Sequence, residues 1–182
     1  LVERSLVVLR RDGGRTRYRM LAPIARFAAE RLVGSGEEQT VRRRHAERFL
    51  RPLVDGAPST GSAPEAWAAV RWAIDASPDD EIQVLAGRAA VSLGGWSEAT
   101  ALLDGVARDG DPFAMEALGV ALCKLHRAHP TAEGYRRGQR LLADSYPLDG
   151  RLATLAALAG TWKGIDEREA RARYEAAVDH DP

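Results

Sequence analysis

Two kinds of hydrophobic periodicity divide the chain. Over residues 5–11, SLVVLRR, apolar and β-branched residues predominate, and over 16–21, TRYRML, polar residues alternate with large ones. Asp12, Gly13 and Gly14 lie between these runs and supply the positive φ angles that a tight turn demands. One β-hairpin is therefore expected. The period then changes from two residues to 3.6. Ile24, Phe27, Ala28, Arg31 and Leu32 form an i, i+3, i+4, i+7, i+8 stripe. Pro23 stands where the first turn of a helix tolerates proline, and Gly34 and Gly36 mark the helix end. A second amphipathic helix is expected over residues 37–53, with Val41, His45, Phe49 and Pro52 bounding its apolar side.

The Gly/Pro/Ser cluster DGAPSTGSAP, residues 55–64, is read as a linker or exposed loop. Beyond it the chain is Ala-rich and helical, punctuated by Pro78, Pro112, Pro147 and Pro182 at spacings of 34, 35 and 35. A period in this range marks stacked supersecondary units. Counting back 5, 8 and 12 residues from Pro182 reaches Ala177, Tyr174 and Ala170; the same steps from Pro78 reach Ala73, Val70 and Ala66. Small residues at such places let helices approach, and the larger one fills the gap between them. Ala107 and Leu103 before Pro112 fit approximately, and Leu142 and Gln139 before Pro147 fit worst. Leu118, Ala121, Leu122 and Leu125, then Leu155, Leu158, Ala159 and Trp162, supply the facing stripes. Trp67, Trp72, Trp96 and Trp162 fall at helical positions and are assigned to packing.

At 182 residues the chain is long enough to bury a core without covalent staples. Its single cysteine, Cys123, excludes an internal disulfide, and no apolar run reaches the roughly 20 residues of a membrane span. A cytoplasmic protein with no membrane partner is the expectation. The chain opens at Leu1 inside an apolar pattern, which reads as a piece of a longer protein. Formal net charge is zero, yet residues 1–51 carry 13 Arg against 6 acids and the rest 13 Lys or Arg against 20 acids. That split suggests two modules and an acidic partner for the basic one. Only Lys124 and Lys163 are lysines, a composition like that of a high-GC, actinobacterial genome.

With the hairpin and first helix, the segment LVERSLVV, RYRML, ARFAAERL and VRRRHAERFL resembles the end of the winged-helix domain in bacterial STAND regulators, the signal-transduction ATPases that include the NB-ARC type. In that family such a segment closes a nucleotide-binding core and joins it to a repeat-built sensor. The family's Met-His-Asp triplet is here Met20, Leu21 and Ala22, which leaves no imidazole for a phosphate. No G-x-x-x-x-G-K-[ST] loop occurs anywhere in the chain. ATP or ADP is thus expected only in an upstream domain, and this chain holds no cofactor and no catalytic constellation. LAALAGTWKGIDEREARARYEAAVDHDP and GGWSEATALLDGVARDGDP resemble tetratricopeptide repeats, whose arrays form curved solenoids that take peptides or partner domains.

The fold expected is mostly α: a tetratricopeptide-like solenoid over residues 65–182, preceded by a partial winged helix with one hairpin over 1–54 and a linker over 55–64. Its function would be that of a non-catalytic sensor, the repeats docking a protein or peptide and relaying to the upstream ATPase. The alternative is a DNA-binding transcription factor module whose repeats dimerise. The recognition helix that precedes the wing is absent, so nucleic acid is not the expected partner. If the first helix of each repeat lines the groove, Arg88, Lys124, Arg127 and Lys163 are the candidate partner-binding cations. Cys123, His126 and His129 are zinc ligand types without a second pair at ligand spacing, so no metal is assigned. Nor does anything nearby in sequence activate Cys123 as a nucleophile. The acidic runs at 79–81 and 166–169 sit where helices should start and are read as complementing helix dipoles.

Overall fold

The computed structural model describes residues 6–12, 15–56, 63–76, 79–129 and 132–149, with 172 and 175. The final repeat expected from the sequence, including Trp162 and Lys163, lies outside them, as does Pro78. The described residues form a two-stranded sheet and seven helices between residues 22 and 149. By their contacts they fall into two compact units, Leu1–Arg43 and Arg44–Pro182.

In the first unit, β1 (Val7–Asp12) and β2 (Arg15–Met20) pair antiparallel with Asp12 opposite Arg15, so the connection is two residues long. The helix α1 (Ala22–Ser35) follows at once, with Pro23 in its first turn and Gly36 as its left-handed cap at φ 73°. Of its predicted stripe, Ile24, Ala28 and Leu32 are half-buried, whereas Phe27 and Arg31 are exposed. The Arg31 guanidinium lies 5.3 Å above the Phe27 ring. The stripe is therefore wider than the surface that covers it, and α1 has no fully buried residue.

The helix α2 (Glu38–Val54) ends in the second unit, where Ala46 and Leu50 are completely buried and Leu53 and Val54 pack on the same core. The helix is as expected, but its buried face is set one position on from the predicted one. Val41 and His45 stay exposed, and His45 instead meets the Phe49 ring at 4.6 Å. Ser92 donates to the Leu53 carbonyl at 3.3 Å and Arg51 approaches Glu81 at 4.0 Å, so the end of α2 is tied down by side chains of the fourth helix.

Five helices complete the second unit: α3 (Ala63–Ala76), α4 (Asp80–Ser92), α5 (Trp96–Arg108), α6 (Pro112–Leu125) and α7 (Glu133–Asp149). The helix α3 takes in Ala63 and Pro64, the last two residues of the expected linker. Each helix packs on its successor, and α3 touches α5 as α4 touches α6. Local chemistry sets this rhythm. Asp79 caps α4 by accepting from the Glu81 and Ile82 amides, and Asp111 caps α6 by accepting from the Ala114 amide at 2.7 Å. Such caps contribute about 1 kcal/mol each. Gly94 and Gly110, at φ 81° and 89°, turn the chain after α4 and α5. Helices α4, α5 and α6 consequently begin sixteen residues apart.

The packing repeats with that rhythm. A Cβ at Gly87 on α4 would lie 2.4 Å from Leu103 on α5; one at Gly119 on α6 would lie 2.8 Å from Leu142 on α7. Gly119 follows Gly87 by 32 positions, and Leu142 follows Leu103 by 39. Of the seven extra residues, one lengthens α6 relative to α4, four lengthen the connection between the helices and two precede Leu142 within α7.

The prolines do not mark this repeat. Pro112 is the first residue of α6, while Pro147 lies inside α7. Counting back from them nonetheless reaches buried positions, Ala107 and Leu103 before Pro112 and Leu142 before Pro147. The faces themselves were legible: Ala66, Val70, Ala73, Leu103, Leu118, Ala121 and Leu122 are buried, and only Leu125 of the α6 stripe is exposed. Trp67, Trp72 and Trp96 pack half-buried against this core.

Two glycine-to-alanine changes should separate close approach from backbone entropy. Gly119→Ala puts a methyl 2.9 Å from the Gly138 carbonyl oxygen, which cannot rotate away, and should destabilise the fold by about 1–3 kcal/mol. Gly105→Ala, in α5 with nothing within 4 Å, should stabilise it by about 0.5–1 kcal/mol. Urea midpoints of the two variants on the same side of the wild type would refute this account of the seam.

Candidate functional site

The described candidate cations do not share one place. Arg88 is half-buried on α4, and its guanidinium lies 5.2 Å above the ring of Phe113, the second residue of α6. Lys124 sits in the last turn of α6, eleven residues and about 16 Å of helix axis further on. Arg127 lies in the turn that follows, with its amide donating to the Lys124 carbonyl. Lys163 is outside the described residues.

The α6–α7 turn is flanked by exposed cations that sequence reasoning only half found. The Cys123 thiol donates to the Tyr135 carbonyl at 3.7 Å and so fixes the end of α6 beside the start of α7. The His126 ring occupies the space over Gly134, where a Cβ would come within 2.3 Å of its Nε2. Lys124 and Arg127 on one side of the turn and Arg136 and Arg140 on the other are all exposed. Arg140 pairs with Glu133 and holds its carboxyl below the ordinary range, through a hydrogen bond reinforced by charge. Arg136 adds to that effect. The clue in the sequence was the run GYRRGQR, residues 134–140, whose cations fall in the first turns of α7 and not on the helix thought to line a groove.

One of these arginines has a different task. Arg137 reaches back to Asp104 on α5 at 2.5 Å, and Asp104 also accepts from Arg108. Hydrogen bonds from Arg108 first and Arg137 second hold the Asp104 carboxyl below its ordinary range. This bridge joins α5 to α7 across α6. Partly exposed, it is worth at most about 1 kcal/mol, so its contribution is more to register than to stability.

Cys123 is built into a small core with Tyr135 and Leu142. Burial pushes its thiol up to about 12, against the opposing pull of Lys124. Burial also raises the Tyr135 phenol, with Cys123 adding to the shift and Arg127 opposing it. A protonated thiol is a poor nucleophile. Among the described residues, no group of three or more His, Cys, Asp or Glu could hold a metal ion, and no helix is long and apolar enough to cross a membrane. At position 79 the acid caps α4, as the dipole argument expected; residues 166–169 lie outside the described ones.

Comparison with protein-family models, with curated proteins and with solved structures finds no match to any of them.

The raised thiol gives a pH test. Folded Cys123 keeps its proton to about pH 12, whereas the unfolded thiol loses it near its ordinary value of about 8.5. Its contribution to stability is complete below about pH 8.5 and is lost progressively as the pH rises toward 12. Native protein at pH 8 should therefore react with a thiol reagent only through opening of the α6–α7 seam, and urea should accelerate the reaction. Stoichiometric labelling as fast as that of the unfolded chain would contradict the burial.

Proposed function

We propose that this chain is the non-catalytic sensor and protein-interaction region of a STAND-type regulator. In this reading, residues 1–54 are the end of a winged-helix domain, 55–64 a linker and 65–182 an array of tetratricopeptide-like repeats. The observation that carries it is the recurrent seat of Leu103 on Gly87 and Leu142 on Gly119. Successive helix pairs that repeat one kind of contact are what a solenoid stacks, and solenoids present extended surfaces to protein ligands. The exposed cations Lys124, Arg127 and Arg136 on either side of the α6–α7 turn favour an acidic peptide or protein segment as the ligand, since guanidinium groups pair with carboxylates bidentately. Arg88 serves a separate point on the same array.

Relay to an upstream ATPase would pass through α2, whose second half is locked into the repeat core by Ala46 and Leu50. Capture of a partner changes the packing around those two residues and, through the helix, the contacts of the nucleotide-binding domain. Removing residues 65–182 from the parent protein should accordingly change its rate of ADP release by about five-fold or more, the range of ordinary allosteric coupling. Stopped-flow release of a fluorescent ADP analogue measures it, and an unchanged rate would overturn the relay.

A second reading, a DNA-binding transcription factor module, draws on the hairpin register. Arg10 stands opposite Arg17 in the register, and Arg15, Arg17 and Arg19 fall at alternate positions of β2. Binding to duplex DNA that weakens steeply with salt would favour it.

A further inference from the structure

The surface of the first unit is unlike that of the second. Among the described residues, eight of the eleven exposed large hydrophobic side chains belong to residues 1–43, although that unit is under a quarter of the chain. Tyr18 is 66% exposed, Phe27 56%, and Met20, Leu21 and Val33 are also open. A two-stranded hairpin is marginal in water without cover on its apolar face. Here Val7 pairs with Met20 and Leu9 with Tyr18. A partner that is apolar at one point and acidic around it would complete this surface.

The chain itself carries a surface of that kind. Residues 1–43 hold 10 Arg against 5 acids, and residues 44–182 hold 16 Lys or Arg against 21 acids. At the α3–α4 corner of the acidic unit, Ile74 is 41% exposed, with exposed Asp75 beside it and exposed Asp80 and Glu81 opening the next helix. We infer that a second copy of this chain covers the first unit, the exposed Tyr18 and Phe27 of each protomer's basic first unit docking on the Ile74, Asp75 and Asp80 corner of the other. Exchanged reciprocally, the two contacts leave neither surface unpaired. Aromatic anchors ringed by arginine are the usual carriers of binding energy in such an interface.

The test is the mass of the 182-residue chain by analytical ultracentrifugation. The wild type should be a dimer at low salt and dissociate by about 0.5 M NaCl, where exposed charges are screened. Tyr18→Glu with Phe27→Glu, and separately Asp75→Lys with Asp80→Lys, should each weaken dimerisation at least about ten-fold. All four sites are exposed, and circular dichroism confirms that each variant folds. Mixing the two variants should restore a heterodimer, because one of the two reciprocal contacts survives in the mixture. A wild type that stays monomeric at every concentration overturns the proposal. So does a dimer that persists in either variant, a mixture that stays monomeric, or a short DNA duplex that binds the Tyr18 and Phe27 surface and displaces the second copy.

Discussion

The second unit depends on close approach at two glycines. With Leu103 over Gly87 and Leu142 over Gly119, no side chain larger than hydrogen fits at either glycine unless its neighbour gives way. At the second seam Gly138 lies against the Gly119 carbonyl and the Cys123 sulfur, so backbone meets backbone there. Interiors are packed like crystals, and a seam set this tightly fixes the positions of everything attached to it. The burial of Cys123, the seat of His126 and the reach of Arg137 to Asp104 all follow from where α7 crosses α6.

The faces of these helices are spent on one another, and exposed cations stand on either side of the turn from α6 into α7. Arg88 and Lys124 look alike in sequence and differ in situation. Arg88 is stacked on an aromatic ring, which limits its mobility, and Lys124 extends from a helix terminus into solvent. The first unit is different again, with its hydrophobic residues outside and its arginines on the hairpin. An element with no buried residue, as α1 is, draws little stability from its own packing.

How far the chain could be read in advance depended on how local each feature was. The hairpin, α1, α2 and the helical character of the rest were legible because turn residues, caps and periodicity act within a few residues of themselves. Asp79 capping α4 and Gly36 ending α1 are of that kind. The repeat phase was not. Prolines at spacings of 34 and 35 looked like punctuation, whereas Pro112 opens one helix and Pro147 lies inside another. Gly87 and Gly119 lie 32 positions apart, and their role is visible only once the helices that press on them are in place.

The candidate site divides along the same line. Sequence by itself determined that the chain is mostly helical and that its basic residues concentrate near the start. Tertiary structure decided that Arg127 lies in the turn after α6, that Arg137 is committed to Asp104, and that Arg88 lies over Phe113. It also set the buried face of α2 on Ala46 and Leu50 instead of Val41 and His45. The reason is physical. Periodicity specifies that a helix has an apolar side, but which residues of a broad stripe leave water is decided by the shape and spacing of the neighbours that cover it.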